Sequence, residues 1–158
     1  MDREEFTRRA LDMEYSLYRV AKTLLRSDHD CADAVQESLV KGLQAARGLR
    51  QAEYFKTWMT RILVNTCKDM RKKQARRPVV EIPEALPAKD DTEQRELYEA
   101  LQTIPEELRL PLVLHYLEGL TVREVSQVLH VPEGTIKRRL WLGRKEMHAL
   151  LRGDEEVG

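Results

Sequence analysis

Three prolines, Pro78, Pro83 and Pro87, interrupt the chain between residues 77 and 93, in the stretch RPVVEIPEALPAKDDTE. Proline has no backbone N–H and disfavours helix in the residue before it, so one continuous helix is excluded here. Acidic residues dominate the second half of the stretch, and we expect it to be an extended, flexible linker. The sequence thus predicts a first lobe, a linker, a second lobe and a short tail at residues 1–77, 78–93, 94–152 and 153–158.

Both lobes have the apolar spacing of helices, and few runs alternate between apolar and polar residues as strands do. In the first lobe we predict three helices, one over Phe6–Leu24, one over Ala32–Ala46 with Val35, Leu39 and Leu43 inward, and one over Phe55–Met70. The second lobe has the pattern of about four short helices, with Leu108, Leu112, Val113 and Tyr116 inward in one of them. The predicted fold class is therefore all-α, with two small helical domains.

The net charge is zero, but the basic residues are clustered. Residues 1–77 hold 17 Lys and Arg against 11 Asp and Glu, a balance of +6. Residues 68–77 contain six bases and one acid, and residues 137–145 contain five bases and no acid. Two local basic patches on a neutral protein indicate two contacts with one polyanion, although charge alone also fits two solvated helix faces.

The third helix of the first lobe has one apolar and one basic side. Its predicted buried stripe is Phe55, Trp58, Met59, Ile62, Leu63, Thr66, Cys67 and Met70. Arg61, Asn65, Lys68 and Lys72 follow one another on the opposite side at spacings of four, three and four. Asparagine is a poor helix former, so its position in the middle of a helix indicates a role other than folding.

Residues 121–151 have the pattern of a helix-turn-helix. Thr121 and Glu124 form a T-x-x-E capping box that begins one helix, which must end before Pro132. Pro132 and Glu133 suit the first turn of the next helix. Such a pair of helices, joined by a tight turn, places its second helix in the DNA major groove.

The second helix of this motif has the residues that groove binding needs. Gly134 keeps its N-terminus slim, and Thr135 with the first backbone amides can meet a phosphate. Lys137 and Arg138 are placed to reach guanine edges, whereas Arg139 and Arg144 lie nearer the flanks and suit phosphates. Trp141 and Lys145 share the exposed side.

Three stretches together resemble extracytoplasmic-function (group IV) sigma factors of the sigma-70 family. They are DCADAVQESLVKGL, FKTWMTRILVNTCKDMRKKQARRP and LTVREVSQVLHVPEGTIKRRLWLGRKEM, in the family's order and at its spacing. The resemblance covers nearly all of residues 1–152. It implies a bacterial transcription initiation factor without catalysis of its own, which binds core RNA polymerase and directs it to specific promoters. It also implies an anti-sigma protein as a regulatory partner.

The resemblance assigns roles to residues that match the family's motifs. The residues expected to dock on the clamp of the polymerase's largest subunit are Asp33, Gln36 and Glu37. Those expected to melt and read the promoter −10 element are Tyr54, Phe55, Arg61, Asn65, Lys68, Lys72 and Arg76, with Asn65 bonding a flipped base, Tyr54 stacking, and Phe55 either pocket wall or core. Those expected to read the −35 element are Thr135, Lys137, Arg138, Arg139, Trp141 and Arg144.

Three positions depart from the family's pattern, one of them Ser126, which stands where a small alanine is usual and still fits. His130 stands in the turn where glycine is usual, and histidine tolerates a left-handed backbone better than most residues do. Arg138 replaces a small polar residue that is common on the reading face. The usual −35 preference is therefore open for this chain, because a long cation adds a contact to guanine or phosphate.

The alternative function is a stand-alone helix-turn-helix regulator that acts on duplex DNA without polymerase. It leaves the basic helix of the first lobe unexplained, and no heptad seam for a dimer is visible, so we expect a monomer when free. Scattered histidines and cysteines without zinc spacing, and no phosphate loop or nucleophile motif, predict no catalytic residue, metal or cofactor. The N-terminus lacks a signal peptide's apolar region, so we expect a cytoplasmic protein in which Cys31 and Cys67 are buried, inert thiols.

Overall fold

The computed structural model describes residues 1–76 and 92–157, leaving aside the side chains of 92–95 and 154–157. Every regular element in these residues is a helix, which confirms the predicted fold class. The chain divides into two compact units, Met1–Leu86 and Pro87–Gly158. The predicted linker lies outside the described residues, except that Thr92 and Glu93 already belong to the first helix of the second unit.

The first unit is called the N-lobe, and its described residues, 1–76, form four α-helices and two short 3₁₀ turns between the third and fourth. The helices are α1 (Arg3–Asp12), α2 (Glu14–Leu24), α3 (Asp28–Ala45) and α4 (Phe55–Ala75). The prediction of one helix over Phe6–Leu24 was wrong, because the first helix ends at Asp12 and a second one begins at Glu14, with Met13 between them. The amide of Met13 there bonds the carbonyls of both Arg9 and Ala10, so the break leaves this donor satisfied.

The N-lobe core lies where α4 packs against α2 and α3. Leu17 and Val20 of α2 and Met59 and Leu63 of α4 are completely or almost completely buried. Ser27 caps α3 by accepting the amide of Asp30, so this helix begins at the predicted cap-and-turn segment. The buried side of α4 thus follows the predicted apolar stripe in its centre.

The inward side of α3 differs from the prediction. Leu43 is exposed and Leu39 is half-buried, whereas the buried residues of this helix are Cys31, Ala34, Val35, Ser38 and Gly42. A Cβ on Gly42 would lie 2.9 Å from Met59 Sδ and 3.0 Å from Phe6 Cζ. Phe6 and Met59 approach this helix too closely to leave room for a leucine. The helix therefore faces the core with its small residues.

The second unit, called the C-lobe, contains α5 (Thr92–Gln102), α6 (Glu106–Leu112), α7 (Val122–Leu129) and α8 (Glu133–Val157). A π-helical segment, Val113–Leu117, continues α6, and Gly119 follows it with a φ of +73°. The last helix runs beyond residue 152, where the sequence analysis ended the domain. None of the described helices combines the length and the apolar character that a membrane span requires.

Tyr116 lies in the π-helical segment and is 53% exposed, so its predicted inward position was wrong. In this segment the amide of Glu118 bonds the carbonyl of Val113, five residues back rather than four. The wider turn changes which residues face the core from there on. Val113 and Leu114 are buried, while Tyr116 and Leu117 point outward.

We predict that Gly143 is required for the close packing of α8 on α6. A Cβ at Gly143 would lie 2.8 Å from Leu112 Cδ1, whereas a Cβ at Gly153, in the same helix, meets no atom within 4 Å. Gly153→Ala should raise stability by about 0.5–1 kcal/mol through helix propensity. Gly143→Ala should be less stable than that control by about 1–3 kcal/mol, because the added methyl overpacks the crossing.

Thermal and denaturant unfolding of the two variants measures this difference. Equal stability of Gly143→Ala and Gly153→Ala would show that the contact with Leu112 relaxes without cost.

Candidate nucleic-acid interface

The buried side of α4 determines the direction of its polar side. Met59, Leu63 and Cys67 are fully buried, and the opposite side of the helix shows Arg61, Asn65 and Lys72 to solvent with Lys68 half-buried. Arg76, just after the helix, is exposed as well. The structure therefore brings together on one surface the cations and the asparagine that the sequence predicted for the −10 element. We call this surface the α4 stripe: Arg61, Asn65, Lys68, Lys72 and Arg76.

Asn65 has no hydrogen-bond partner among the residues that the structure describes. Its side chain therefore does not contribute to folding through a cap or a turn, although asparagine costs helix stability relative to alanine or leucine. Arg61 lies one turn before it and Lys68 lies one turn after it. An amide with free donors and acceptors between two cations is suited to a base edge held by its neighbouring phosphates.

Phe55 belongs to the core. It is 3% exposed, and its ring centroid lies 5.7 Å from that of Phe6 and 5.9 Å from that of Trp58. Of the two roles left open for Phe55, this burial supports the core, and Phe55 is not among the exposed residues of the α4 stripe. Trp58 is half-buried in the same cluster, as expected for a core anchor.

Tyr54 is accessible, with 53% of its surface exposed, and it immediately precedes α4. Asn65 lies about three turns into that helix, which is ~16 Å along the axis. The structure thus leaves Tyr54 free to stack on a base but does not place it beside Asn65.

The helix-turn-helix forms as the capping pattern predicts. The amide of Glu124 donates to Thr121 Oγ1 at 3.1 Å, and the amide of Thr121 donates to Glu124 Oε1 at 3.0 Å. His130 ends α7 in the left-handed region, with a φ of 56° and a ψ of 46°, which is the conformation that a turn glycine would supply. Ser126 Oγ donates to the carbonyl of Val131 and holds the turn from inside.

Val125 and Val128 of α7 and Ile136 and Leu140 of α8 are buried, and they fix the two helices of the motif. On the opposite side of α8, Lys137, Arg138 and Arg144 are exposed, and Trp141 is 50% exposed. Thr135 and Arg139 are half-buried at the edges. We call this surface the α8 face: Thr135, Lys137, Arg138, Arg139, Trp141 and Arg144.

Two side-chain pairs give the α8 face a defined shape. Lys145 Nζ lies 4.0 Å from the ring centroid of Trp141, in cation–π geometry. Arg144 Nη1 donates a hydrogen bond of 2.8 Å to Tyr116 Oη. A Cβ at Gly134 would meet no atom within 4 Å, so the N-terminus of α8 is open on that side.

A third surface lies on α3. Asp33, Gln36 and Glu37 are all exposed, and Glu37 pairs with Lys41 at 3.3 Å. Val40, 57% exposed, and Leu43 follow them at helical spacing. The sequence analysis placed Leu43 inward and did not consider Val40, so the apolar part of this surface is a finding of the structure.

The C-lobe also has an apolar groove of about 290 Å³. Its walls come from α5, the end of α6, the π-helical segment and α8, and Arg144 and His148 are basic residues that border it. The remaining lining residues are Leu97, Leu101, Leu112, Val113, Tyr116, Leu117, Met147 and Leu151.

The two thiols are part of the N-lobe core. Cys31 and Cys67 are both completely buried, and burial raises the pKa of each to about 12. Both thiols therefore stay protonated at neutral pH, as inert core residues do. Among the described residues, no three His, Cys, Asp or Glu side chains are arranged to hold a metal ion.

Two family models match the chain, and each falls on one lobe. The model of sigma-70 region 2 matches residues 14–77, and that of sigma-70 region 4 matches residues 94–147. The first match contains α4, and the second contains the helix-turn-helix.

Similar proteins extend over both lobes. The ECF RNA polymerase sigma-E factor of Haemophilus influenzae is 30% identical over 161 residues, which cover 87% of this chain and 85% of that protein. The RNA polymerase sigma factor SigV of Bacillus subtilis is 31% identical over 144 residues, with coverage of 89% and 87%.

Solved structures share the fold. The sigma factor RpoE in complex with the anti-sigma factor NepR, from Bartonella quintana, has a TM-score of 0.79 at 22% identity, covering 94% of this chain and 98% of that one. CnrH in complex with the cytosolic domain of CnrY has a TM-score of 0.76 at 21% identity, with coverage of 97% and 91%.

The interpretation as a stand-alone regulator is wrong, because the N-lobe matches region 2 and the relatives align over both lobes. With a region 2 lobe, a region 4 lobe and ECF relatives along most of its length, the chain belongs to the extracytoplasmic-function sigma factors of the sigma-70 family, which direct RNA polymerase to promoters.

Proposed function

We propose that this sigma factor docks on core RNA polymerase through α3, captures the unpaired −10 strand with the α4 stripe and reads the −35 duplex with the α8 face. The observation that carries the proposal is Asn65, an exposed mid-helix amide without a described partner, set among cations. Such a residue costs helix stability and is explained by a ligand with hydrogen-bonding edges and phosphates.

The α3 surface supports docking on the clamp of the largest subunit. Asp33, Gln36 and Glu37 supply charge and hydrogen bonds, while Val40 and Leu43 supply apolar area beside them. Protein interfaces combine an apolar centre with a polar rim, and this side of α3 has both. Because the acids are exposed, a basic partner can pair with them without a large desolvation cost.

The α4 stripe supports capture of a single strand. Opening a promoter requires that a base leave the stack, which costs a few kcal/mol and must be offset by contacts to the flipped base. Asn65 is the candidate for the base edge, and Arg61, Lys68, Lys72 and Arg76 are candidates for the backbone. Tyr54, about three turns away, would stack on another nucleotide of the same strand.

The α8 face supports major-groove reading. The open N-terminus at Gly134 lets the backbone approach the duplex, and Lys137 and Arg138 then point at base edges. Thr135, Arg139 and Arg144 lie at the edges of this face and are candidates for phosphate contacts. Trp141 offers apolar area beside the two reading cations.

The two lobes act together through tethering. Each binds its own DNA element weakly, and the linker together with the polymerase raises the effective concentration of the second contact. The factor acts in the cytoplasm as a monomer until it meets polymerase, and it carries no catalysis of its own.

An anti-sigma protein is the proposed regulator. One solved structure that shares the fold contains a sigma factor bound to the anti-sigma factor NepR, and another contains CnrH bound to the cytosolic domain of CnrY. The apolar groove of the C-lobe suits an amphipathic helix of an anti-sigma protein, since helix-in-groove binding uses apolar anchors with polar edges.

Run-off transcription with bacterial core polymerase on a library of promoters tests the function. We expect specific start sites with the protein present and none with core polymerase alone. If the protein binds core polymerase but never directs a specific start, or if it does not bind at all, the proposal fails.

We predict that Asn65→Ala impairs promoter opening by about tenfold while closed-complex affinity stays within about twofold, because the lost contact forms only with the flipped base. Permanganate reactivity of unpaired thymines measures opening, and filter binding at low temperature measures the closed complex. Lys72→Ala is the matched control on the same stripe, and it should weaken both steps through a phosphate contact. An equal loss in both steps for Asn65→Ala would contradict the flipped-base role.

We predict that Arg138→Ala changes the base preference at one position of the −35 element, by about tenfold against the favoured base. Selection from randomised −35 sequences measures the preference. Arg152→Ala removes an exposed cation farther along α8 and should leave it unchanged. A uniform loss of affinity across all sequences would instead assign Arg138 to a phosphate.

A further inference from the structure

A hydrogen bond between Arg144 and Tyr116 connects two elements of the C-lobe. Groove reading by α8 does not by itself require this connection. Arg144 is on α8, and Tyr116 is on the π-helical segment that follows α6. Both side chains are exposed, and their bond of 2.8 Å is a short one for a guanidinium donor. The bond selects one orientation for the side chain of a long surface arginine.

The π-helical segment is what brings Tyr116 to this position. The apolar spacing of α6 predicts Tyr116 inward, and the wider turn at Val113–Leu117 moves it outward. Pro111 lies just before this segment and cannot donate a backbone hydrogen bond. A π-turn costs regular helix geometry and is frequent at functional sites, so its product here, an outward tyrosine, is a candidate for function.

The ring of Tyr116 is itself fixed. His115 packs edge-on against it with ring centroids 4.8 Å apart. The Nδ1 of His115 lies 2.7 Å from the carbonyl oxygen of Leu120, which can only accept, so the ring nitrogen donates. Leu120 directly precedes the Thr121 cap, so the His115 ring that packs on Tyr116 is bonded to the turn that begins the helix-turn-helix.

Arg144 keeps its capacity to bind an anion. Its partner is a neutral hydroxyl, so its charge is not cancelled, and only one of its five N–H donors is used in this bond. It follows Lys137 by seven residues, so the two lie on nearly the same side of α8 and ~10 Å apart along its axis. A guanidinium at this distance from the groove-reading end is suited to a phosphate of the flanking backbone.

We propose that Tyr116 is a positioning residue that holds Arg144 ready for a phosphate of the promoter duplex beside the −35 element. This inference rests on the proposed function of the α8 face. Without the Tyr116 hydroxyl, ordering the Arg144 side chain costs conformational entropy when DNA binds. The hydrogen bond orders the side chain before binding and so lowers that cost. Because a phosphate contact carries no base information, the effect is on affinity and not on sequence preference.

The test uses holoenzyme assembled from core polymerase and the full chain, with a fluorescent promoter duplex titrated at several salt concentrations. Arg144→Ala should lower affinity about fivefold and reduce the slope of log K against log salt by about 1. Tyr116→Phe keeps the ring and the charge, so it should lower affinity about threefold with a smaller change in slope. The double variant should bind no more weakly than Arg144→Ala, because both changes remove one contact.

Two controls separate positioning from folding and from general charge loss. Tyr116→Phe should keep the unfolding temperature of the unsubstituted chain, since its hydroxyl is exposed and its ring is retained. Arg152→Ala removes a cation from the same helix and should have less effect on affinity than Arg144→Ala.

Several outcomes would overturn the inference. The first is unchanged DNA affinity for Tyr116→Phe, and the second is additive losses of affinity in the double variant. The third is a loss of core polymerase binding with DNA affinity intact, which would assign the pair to a protein partner at the apolar groove. If Lys137→Ala weakens DNA binding and Arg144→Ala does not, only this inference fails. If the unsubstituted holoenzyme binds no promoter, the proposed function fails with it.

Discussion

Burial of Met59, Leu63 and Cys67 fixes the rotation of α4 about its axis, and the direction of every polar side chain on that helix follows from it. A helix turns by about 100° per residue, so a stripe in the core leaves an opposite stripe in solvent. Asn65 faces outward for this reason, and so do Arg61 and Lys72. The same constraint operates in α8, where buried Ile136 and Leu140 turn Lys137, Arg138 and Trp141 away from the lobe.

Periodicity and capping chemistry were enough to predict the surfaces that depend on a single helix. The stripe on α4, the capping box at Thr121 and the exposed cations of α8 all follow from residue spacing and local hydrogen bonding. The left-handed turn at His130 was expected from the resemblance to the family, in which glycine is usual at this position. These features are local, so the residues that produce them are close together in sequence.

Features that depend on packing between elements were not predictable in the same way. Leu43 has the spacing of a core residue, but α3 approaches Phe6 and Met59 so closely at Gly42 that its small residues face inward instead. The helix is interrupted at Met13, although the apolar pattern continues through this position and no glycine or proline indicates a break. Tyr116 is turned outward by a single wider turn, because one extra residue in a turn rotates the residues after it by about 100° around the helix axis.

The two buried thiols have a consequence for cells exposed to peroxide or to disulfide stress. At neutral pH, a thiol with a pKa of about 12 is ionised in roughly one molecule in 10⁵, and the reactive species is the thiolate. Cys31 and Cys67 are the only cysteines of the chain, and both are closed off from solvent. Burial in the folded N-lobe therefore shields both thiols from an oxidant that would attack an exposed thiol.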